Sequence, residues 1–383
     1  MTLIRSLFTV LGLVALTSVT SCTSFSSSRS PTMDKSGWIT YCYGRFLIDL
    51  PPQAKINAGY NLWGIKIKGL EDTPTSLAAK IDQREIELKN QKHKKIQSSM
   101  FLRRVDLGEG ATGLLSWSSD ASTEMYRLDT YLVSKPEGRT YYRKGEISVD
   151  RERRGIEIAT SLARNLRSRA PNEIPAEPGF CIDRAYIAGD SFQSEGFGIG
   201  VTFPEHPRTF LAFRSSTGAE RDRLLDRVSG FLMGAAKMVA GIETLRKRER
   251  GGAIPADEYL LAGSARGQRT YTFLWEAQGK DESINEPHLK VELSVEEADD
   301  DDDGKPPAPA FQSDKAALEL WDAIIDSIRL RPVSATGRND HAGTPSPPKS
   351  PQQRANSPAV DDDYALGEFL AELKPKDNWM DDL

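Results

Sequence analysis

The chain has 383 residues, 38% hydrophobic and 27% charged, and a formal net charge of −5. That length leaves room for two domains with cores of their own, and the mildly acidic balance argues against a nucleic-acid partner.

Residues 1–21 carry one cation, Arg5, ahead of an apolar run from Leu7 to Val19. The run is too short to span a bilayer and suits a signal-peptide core. It ends in Val19-Thr20-Ser21-Cys22, which resembles the bacterial lipobox. The resemblance implies that Cys22 is acylated, as by palmitate, and becomes the first residue of the mature chain; the alternative is an ordinary secretory signal with a chance cysteine. Buried acyl chains contribute about 0.8 kcal/mol per CH2, so a multiply acylated Cys22 is a stable membrane anchor. Residues 22–36, with the polar run Thr23 to Ser28, form a tether, and Thr23 in place of Asp is similar to lipoproteins sent to the outer membrane. The body is expected in the periplasm.

The next stretch, Cys42-Tyr43-Gly44-Arg45-Phe46-Leu47-Ile48, returns later as Cys181-Ile182-Asp183-Arg184-Ala185-Tyr186-Ile187, with Cys, Arg and Ile at matching spacing. The segments after each copy run in the same order, so the chain reads as two related α+β domains, each an antiparallel sheet packed with two amphipathic helices. In the first domain (37–170), 46–50 and 62–67 read as strands, the latter from the alternation of Ile65 and Ile67 with Lys66 and Lys68. A helix starts at Thr73 with Pro74 in its first turn and places Leu77, Ile81 and Leu88 on one side. Residues 101–107, 113–118, 126–134 and 139–148 read as a meander with glycine-containing turns. Asp150 is expected to cap a closing helix with the stripe Ile156, Ala159, Leu162, Ala163 and Leu166. The proline-bearing segment 171–178 is the linker.

The second domain (179–332) repeats the plan. Strands are expected at 199–203 and 210–213, joined through Pro204-Glu205-His206-Pro207. Thr217-Gly218-Ala219-Glu220 fits a capping box for a long helix with Leu224, Val228, Phe231, Leu232, Ala235, Val239 and Ile242, stopped by Gly251-Gly252. Strands at 259–262, 270–277 and 289–295 and a helix over 314–329 complete it. The basic runs 89–95 and 246–250 fall at predicted helix C-termini, where cations complement the dipole. Asp299, Asp301, Asp303 and Gly304 sit at calcium-loop positions, but Ala310 stands where a bidentate Glu is needed and prolines intrude, so a solvated acidic loop is expected and no metal. Residues 333–383 are rich in Pro and Ser and read as a disordered tail; within it, 363–373 reads either as a short helix that sets Leu366, Phe369, Leu370 and Leu373 on one side and folds on a partner or back onto the body, or as a frayed acidic tail.

With Cys22 acylated, Cys42 and Cys181 remain in an oxidising compartment. Two readings stand: a disulfide, or the same small buried residue in each repeat. No nucleophile elbow, phosphate loop, dinucleotide fingerprint or zinc motif occurs. The histidines, at 93, 206, 288 and 341, stand alone, and Ser191 has no partner base, so no catalytic residue and no cofactor is assigned.

Cys42 to Pro51, Gly179 to Asp190 and Phe203 to Pro207, on a lipobox-bearing two-domain chain, together resemble the periplasmic immunity proteins that neutralise phospholipase effectors of the type VI secretion system. The resemblance spans residues 37–332. It implies a protein without enzymatic activity whose two domains grip an α/β-hydrolase-type lipase and prevent the opening that admits phospholipid. The loop Asp190 to Glu195, with Asp190, Phe192 and Glu195, supplies the candidate contacts, because a lone Phe among polar residues has no evident core role; the alternative is an ordinary hairpin loop with Phe192 turned inward. The competing expectations are an envelope lipoprotein serving as an assembly adaptor, and a hydrolase of unfamiliar type.

Overall fold

The computed structural model describes residues 33–229, 241–265, 267–297 and 308–333. Each half opens on a short hairpin whose two-residue turn follows a cysteine. These hairpins are β1 (Ile39–Tyr43) with β2 (Phe46–Leu50), and β10 (Gly179–Ile182) with β11 (Ala185–Ala188). Gly44 occupies the first turn at φ 55°, where an added Cβ would lie 2.6 Å from the Phe197 ring. Only glycine meets both conditions.

The same series then occurs twice. In the first half it is β3 (Lys55–Leu62), β4 (Ile65–Leu70), α1 (Pro74–Asn90), β5 (Phe101–Gly108), β6 (Ala111–Trp117), β7 (Met125–Val133), β8 (Thr140–Ser148), α2 (Glu152–Asn165) and the short β9 (Leu166–Ser168). In the second half it is β12 (Glu195–Thr202), β13 (Thr209–Ser216), α3 (Leu224–Arg227), β14 (Glu243–Arg250), β15 (Ala256–Ala265), β16 (Gln268–Ala277), β17 (His288–Val295), α4 (Asp314–Ile325) and β18 (Arg329–Leu330).

The long strands form one 12-stranded sheet, in the order β14-β15-β16-β17-β13-β12-β3-β4-β8-β7-β6-β5. Reading outward from its middle, each half has the same strand order, so the halves are related by a pseudo-twofold axis at the seam between β3 and β12. That seam is antiparallel and runs from Lys55 opposite Thr202 to Leu62 opposite Glu195, with Gly59 facing Gly198. Strand alternation then divides the side chains between two faces. Leu115, Leu132, Leu260 and Phe273 face a core shared by both halves and covered by α2, α4 and the hairpins, whereas Leu114, Tyr131, Tyr259 and Leu261 face smaller clusters under α1 or α3.

The hairpins are exchanged between the halves. β18, which follows the second half's closing helix, pairs with β2 of the first, and β9, which follows the first half's closing helix, pairs with β11 of the second. Equivalent arginines repeat the exchange: the Arg331 N–H donates to the Arg45 carbonyl at 2.8 Å and the Arg169 N–H to the Arg184 carbonyl at 3.0 Å. Both guanidiniums are buried against backbone oxygens. Arg169 donates to the carbonyls of Cys42, Ile182 and Ala185, and Arg331 to those of Pro175, Glu177 and Gly179. Burial without a carboxylate partner lowers the Arg331 pKa to about 10 and moves Arg169 in the same direction. Where the two hairpins meet, Cys42 and Cys181 are joined in a disulfide, and Gly44 and Cys181 exchange backbone hydrogen bonds.

Among the described residues the fold is mostly antiparallel sheet with few helices, richer in sheet than two helices per domain implies. The largest departure is the predicted helix from Leu224 to Gly251. Among the described residues α3 is one turn, and Glu243–Arg250 is an edge strand. Arg246, Arg248 and Arg250 do not complement a helix dipole there. They recur at strand period and converge on Glu258 of β15, whose carboxylate is fully buried and also accepts from Trp321 Nε1 at 2.8 Å. Thr217 is no helix cap; its hydroxyl accepts from the Glu195 N–H at 3.1 Å. Asp150 lies in a 3-10 turn, and α2 has no side-chain cap. The expected strand 62–67 is broken by a turn at Trp63-Gly64, and the expected helix 314–329 ends at Ile325, with a strand beyond. The leader with Cys22, the predicted helix positions Phe231, Leu232, Ala235 and Val239, the acidic loop at 299–304 and the tail segment 363–373 lie outside the described residues.

Candidate functional site

The loop between β11 and β12 rests on a buried ion pair. The Arg45 guanidinium meets the Glu195 carboxylate in a fork, Nε to Oε2 at 2.8 Å and Nη2 to Oε1 at 2.6 Å, and Nη1 donates to the Gly189 carbonyl at 3.2 Å. One arginine therefore holds both ends of the Asp190 to Glu195 loop against the turn of the first hairpin. Two parallel charge-assisted bonds suit a planar guanidinium and fix its orientation. Glu195 is 4% exposed and committed to this pair, so it is a positioning residue and is corrected out of the candidate contacts. Asp190 and Phe192 do reach solvent, and Phe192 is 44% exposed.

The structure adds a residue that the strand reading hid. Trp63, at the tip between β3 and β4, adopts φ 56°, and its N–H donates to the Ser194 carbonyl at 2.6 Å. A bulky residue in the left-handed region is held there by its surroundings. The Arg154 guanidinium lies 6.0 Å from its ring. The Trp-Gly dipeptide was the available turn signal. Asp190, Phe192 and Trp63 thus belong to one end of the seam, which joins the two halves.

Beside the seam lies a cleft of about 660 Å³. Its floor is β3 and β4, its end is the start of β8, and its wall is the turn of the second hairpin. Lys66, Lys68, Arg139 and Arg184 outnumber Glu71 and Asp183 around it, and Ile56, Ile67 and Leu70 line the apolar part. Tyr141 of β8 donates its hydroxyl to the Asp183 carbonyl at 2.8 Å, which fastens the wall to the end of the cleft. Burial pushes the Tyr43, Tyr60 and Tyr141 hydroxyls up, so these rings stay neutral at physiological pH.

The three described histidines have structural duties. His93 is buried, with Nδ1 accepting from the Lys95 and Ile96 N–H groups and Nε2 paired with the Ser122 carbonyl at 3.0 Å. His206 stacks on Phe311 with centroids 4.4 Å apart, and its Nδ1 pairs with the Ala310 carbonyl. His288 lies 3.8 Å from Glu276, which is already held by Arg227. No group of three or more metal-ligating side chains occurs among the described residues.

Two family models match the chain: the Tle cognate immunity protein 4 N-terminal domain over residues 39–136 and the corresponding C-terminal domain over residues 173–333. Among solved structures, a chain of the Tle4-Tli4 complex is 60% identical, with a TM-score of 0.76, and the match covers 79% of this chain and 100% of that one. The apo immunity protein TplEi of the type VI secretion system from Pseudomonas aeruginosa is also 60% identical, with a TM-score of 0.75 and the same coverage. The same protein complexed with an "L" peptide is 57% identical, with a TM-score of 0.71, over 78% of this chain and 100% of that one. No match is found among curated proteins.

Proposed function

We propose that this chain, which belongs to the Tle cognate immunity protein 4 family, grips a type VI secretion phospholipase effector and holds it closed to its substrate. It is an immunity protein, an inhibitor that acts by binding and not by turnover. The observation that carries the partner assignment is its 60% identity, over the full length of the matched chain, to a component of the Tle4-Tli4 complex.

The physics of the frame supports a clamp. The seam, the exchanged hairpins and the Cys42–Cys181 bond all restrain the two halves relative to one another. A binder whose two grips are already placed loses little freedom on association. In our reading the effector is a lipase of α/β-hydrolase type, and the grip stops the lid movement that admits phospholipid. The exposed ring of Phe192, with Asp190, touches it, since aromatic side chains dominate such contacts. Acylated Cys22 tethers the protein to the outer membrane on its periplasmic side, which concentrates it where a lipase must act. The test mixes the mature protein with the cognate lipase and monitors phospholipid hydrolysis. Loss of activity complete at one equivalent is expected; lipid turnover by this protein alone overturns the proposal.

A further inference from the structure

The seam cleft pairs two properties that recur, with charge reversed, in a stretch of the chain outside the described residues. On the cleft, Lys68 and Arg184 are exposed and Arg139 is half-exposed, against the acids Glu71 and Asp183 and beside apolar Ile67 and Leu70. In the tail, residues 361–373 contain Asp361, Asp362, Asp363, Glu368 and Glu372 and no cation, with Leu366, Phe369, Leu370 and Leu373 at helical spacing. An acidic segment with an apolar stripe is the complement of a basic cleft with an apolar floor.

The connection is long enough. Arg331 donates through its guanidinium to the Gly179 carbonyl at 2.6 Å, which fixes the chain's exit beside the start of β10. From Gly179 to the turn at Asp183 and Arg184 is one strand length, roughly 13 Å at about 3.3 Å per residue. Residues 334–360 come next, and a coil of that length spans roughly 30 Å. The segment therefore reaches the cleft of its own chain at an effective concentration on the order of millimolar.

We propose that residues 361–373 dock in the seam cleft of the same chain, with the Asp361 to Asp363 carboxylates on Lys68, Arg139 and Arg184 and the leucines and phenylalanine on the apolar floor. This goes beyond the immunity reading, because the solved relatives are covered in full by only 79% and 78% of this chain. The docked segment acts as a built-in competitor for whatever anionic, apolar-faced surface approaches the cleft.

The test uses a fluorescent peptide of residues 359–375, titrated into the full mature chain and into a chain ending at Val333, which retains every described element and ends where the C-terminal family model ends. The shortened chain should bind the peptide, and the full chain should bind it at least tenfold more weakly because its cleft is filled. In the shortened chain, Arg139→Gln with Arg184→Gln should weaken binding at least tenfold. In the full chain, Asp361→Asn, Asp362→Asn and Asp363→Asn together should restore binding to within twofold of the shortened chain. Raising salt from 0.05 M to 0.5 M should weaken every measured affinity. Absence of binding to the shortened chain, indifference to the arginine changes, or equal affinity for both chain lengths overturns the proposal. Circular dichroism of each variant, matching the parent, separates these results from misfolding.

Discussion

Replacing both Cys42 and Cys181 by Ala tests how much of the stability is a property of the unfolded chain. The bond joins residues 139 apart. The chain-entropy relation for a loop of that length gives about 5 kcal/mol of stabilisation at 25 °C, near the top of the observed range. Native contacts should hardly change, because both side chains are small and buried beside Leu47 and Tyr186. The seam and the exchanged strands also remain. Guanidinium unfolding of the oxidised parent and the double variant, monitored by tryptophan fluorescence, should show about 4 to 5 kcal/mol lost, while stoichiometric inhibition of the effector persists under native conditions. A loss below about 1 kcal/mol, with oxidation of the parent verified by mass spectrometry, would refute the reasoning. It would mean that the unfolded chain already keeps the two hairpins together.

Arg45→Met leaves the Glu195 carboxylate buried and unpaired, so it should cost about 3 to 5 kcal/mol and loosen the Asp190 to Glu195 loop, read as faster amide exchange at Ser191 to Ser194. Glu258→Gln removes the charge that balances Arg246, Arg248 and Arg250 and should destabilise by a similar ~3 to 5 kcal/mol in urea unfolding; a loss under about 1 kcal/mol would show that Asp322 and Asp326 suffice. Phe192→Ala should weaken effector binding at least tenfold in calorimetry, yet leave the unfolding midpoint in place, since its ring is largely outside the core. Acid should destabilise the second half. Hydrogen bonding from Arg269 holds Asp314 below its ordinary value; at Asp322 burial raises the pKa, but pairing with Arg246 and Arg250 outweighs it. Folded values below the unfolded ones stabilise above about pH 4 and lose that contribution as pH falls through the lowered values, so urea midpoints should be level from pH 6 to 5 and drop by pH 3.

Much of the first half was legible because its patterns are strong: Leu77, Ile81 and Leu88 do share a buried face, and the meander strands lie where the glycine-containing turns placed them. The second half's central helix was carried too far at its C-terminal end: Leu224, Val228 and Ile242 suggest a helical period, while the strand period of Arg246, Arg248 and Arg250 lay under a charge run read as a solvated end. Glu195 looked like a loop acid because its partner Arg45 is distant in sequence. The hairpin exchange was unreadable, since β9 and β18 are three and two residues long. The cysteines teach the opposite lesson. Their equivalence in the repeat suggested one buried thiol in each half, yet near a twofold axis equivalent residues are the ones that meet.

The traded hairpins bear on ancestry. A single copy of this unit would leave its opening hairpin without a third strand and its closing strand without a neighbour, and a second copy placed by the same symmetry would supply both. A lone ancestral unit would thus have matured only as a twin, at the mercy of dilution. Joining such twins end to end in one polypeptide would end that dependence and free each sibling to acquire surface features that the other lacks.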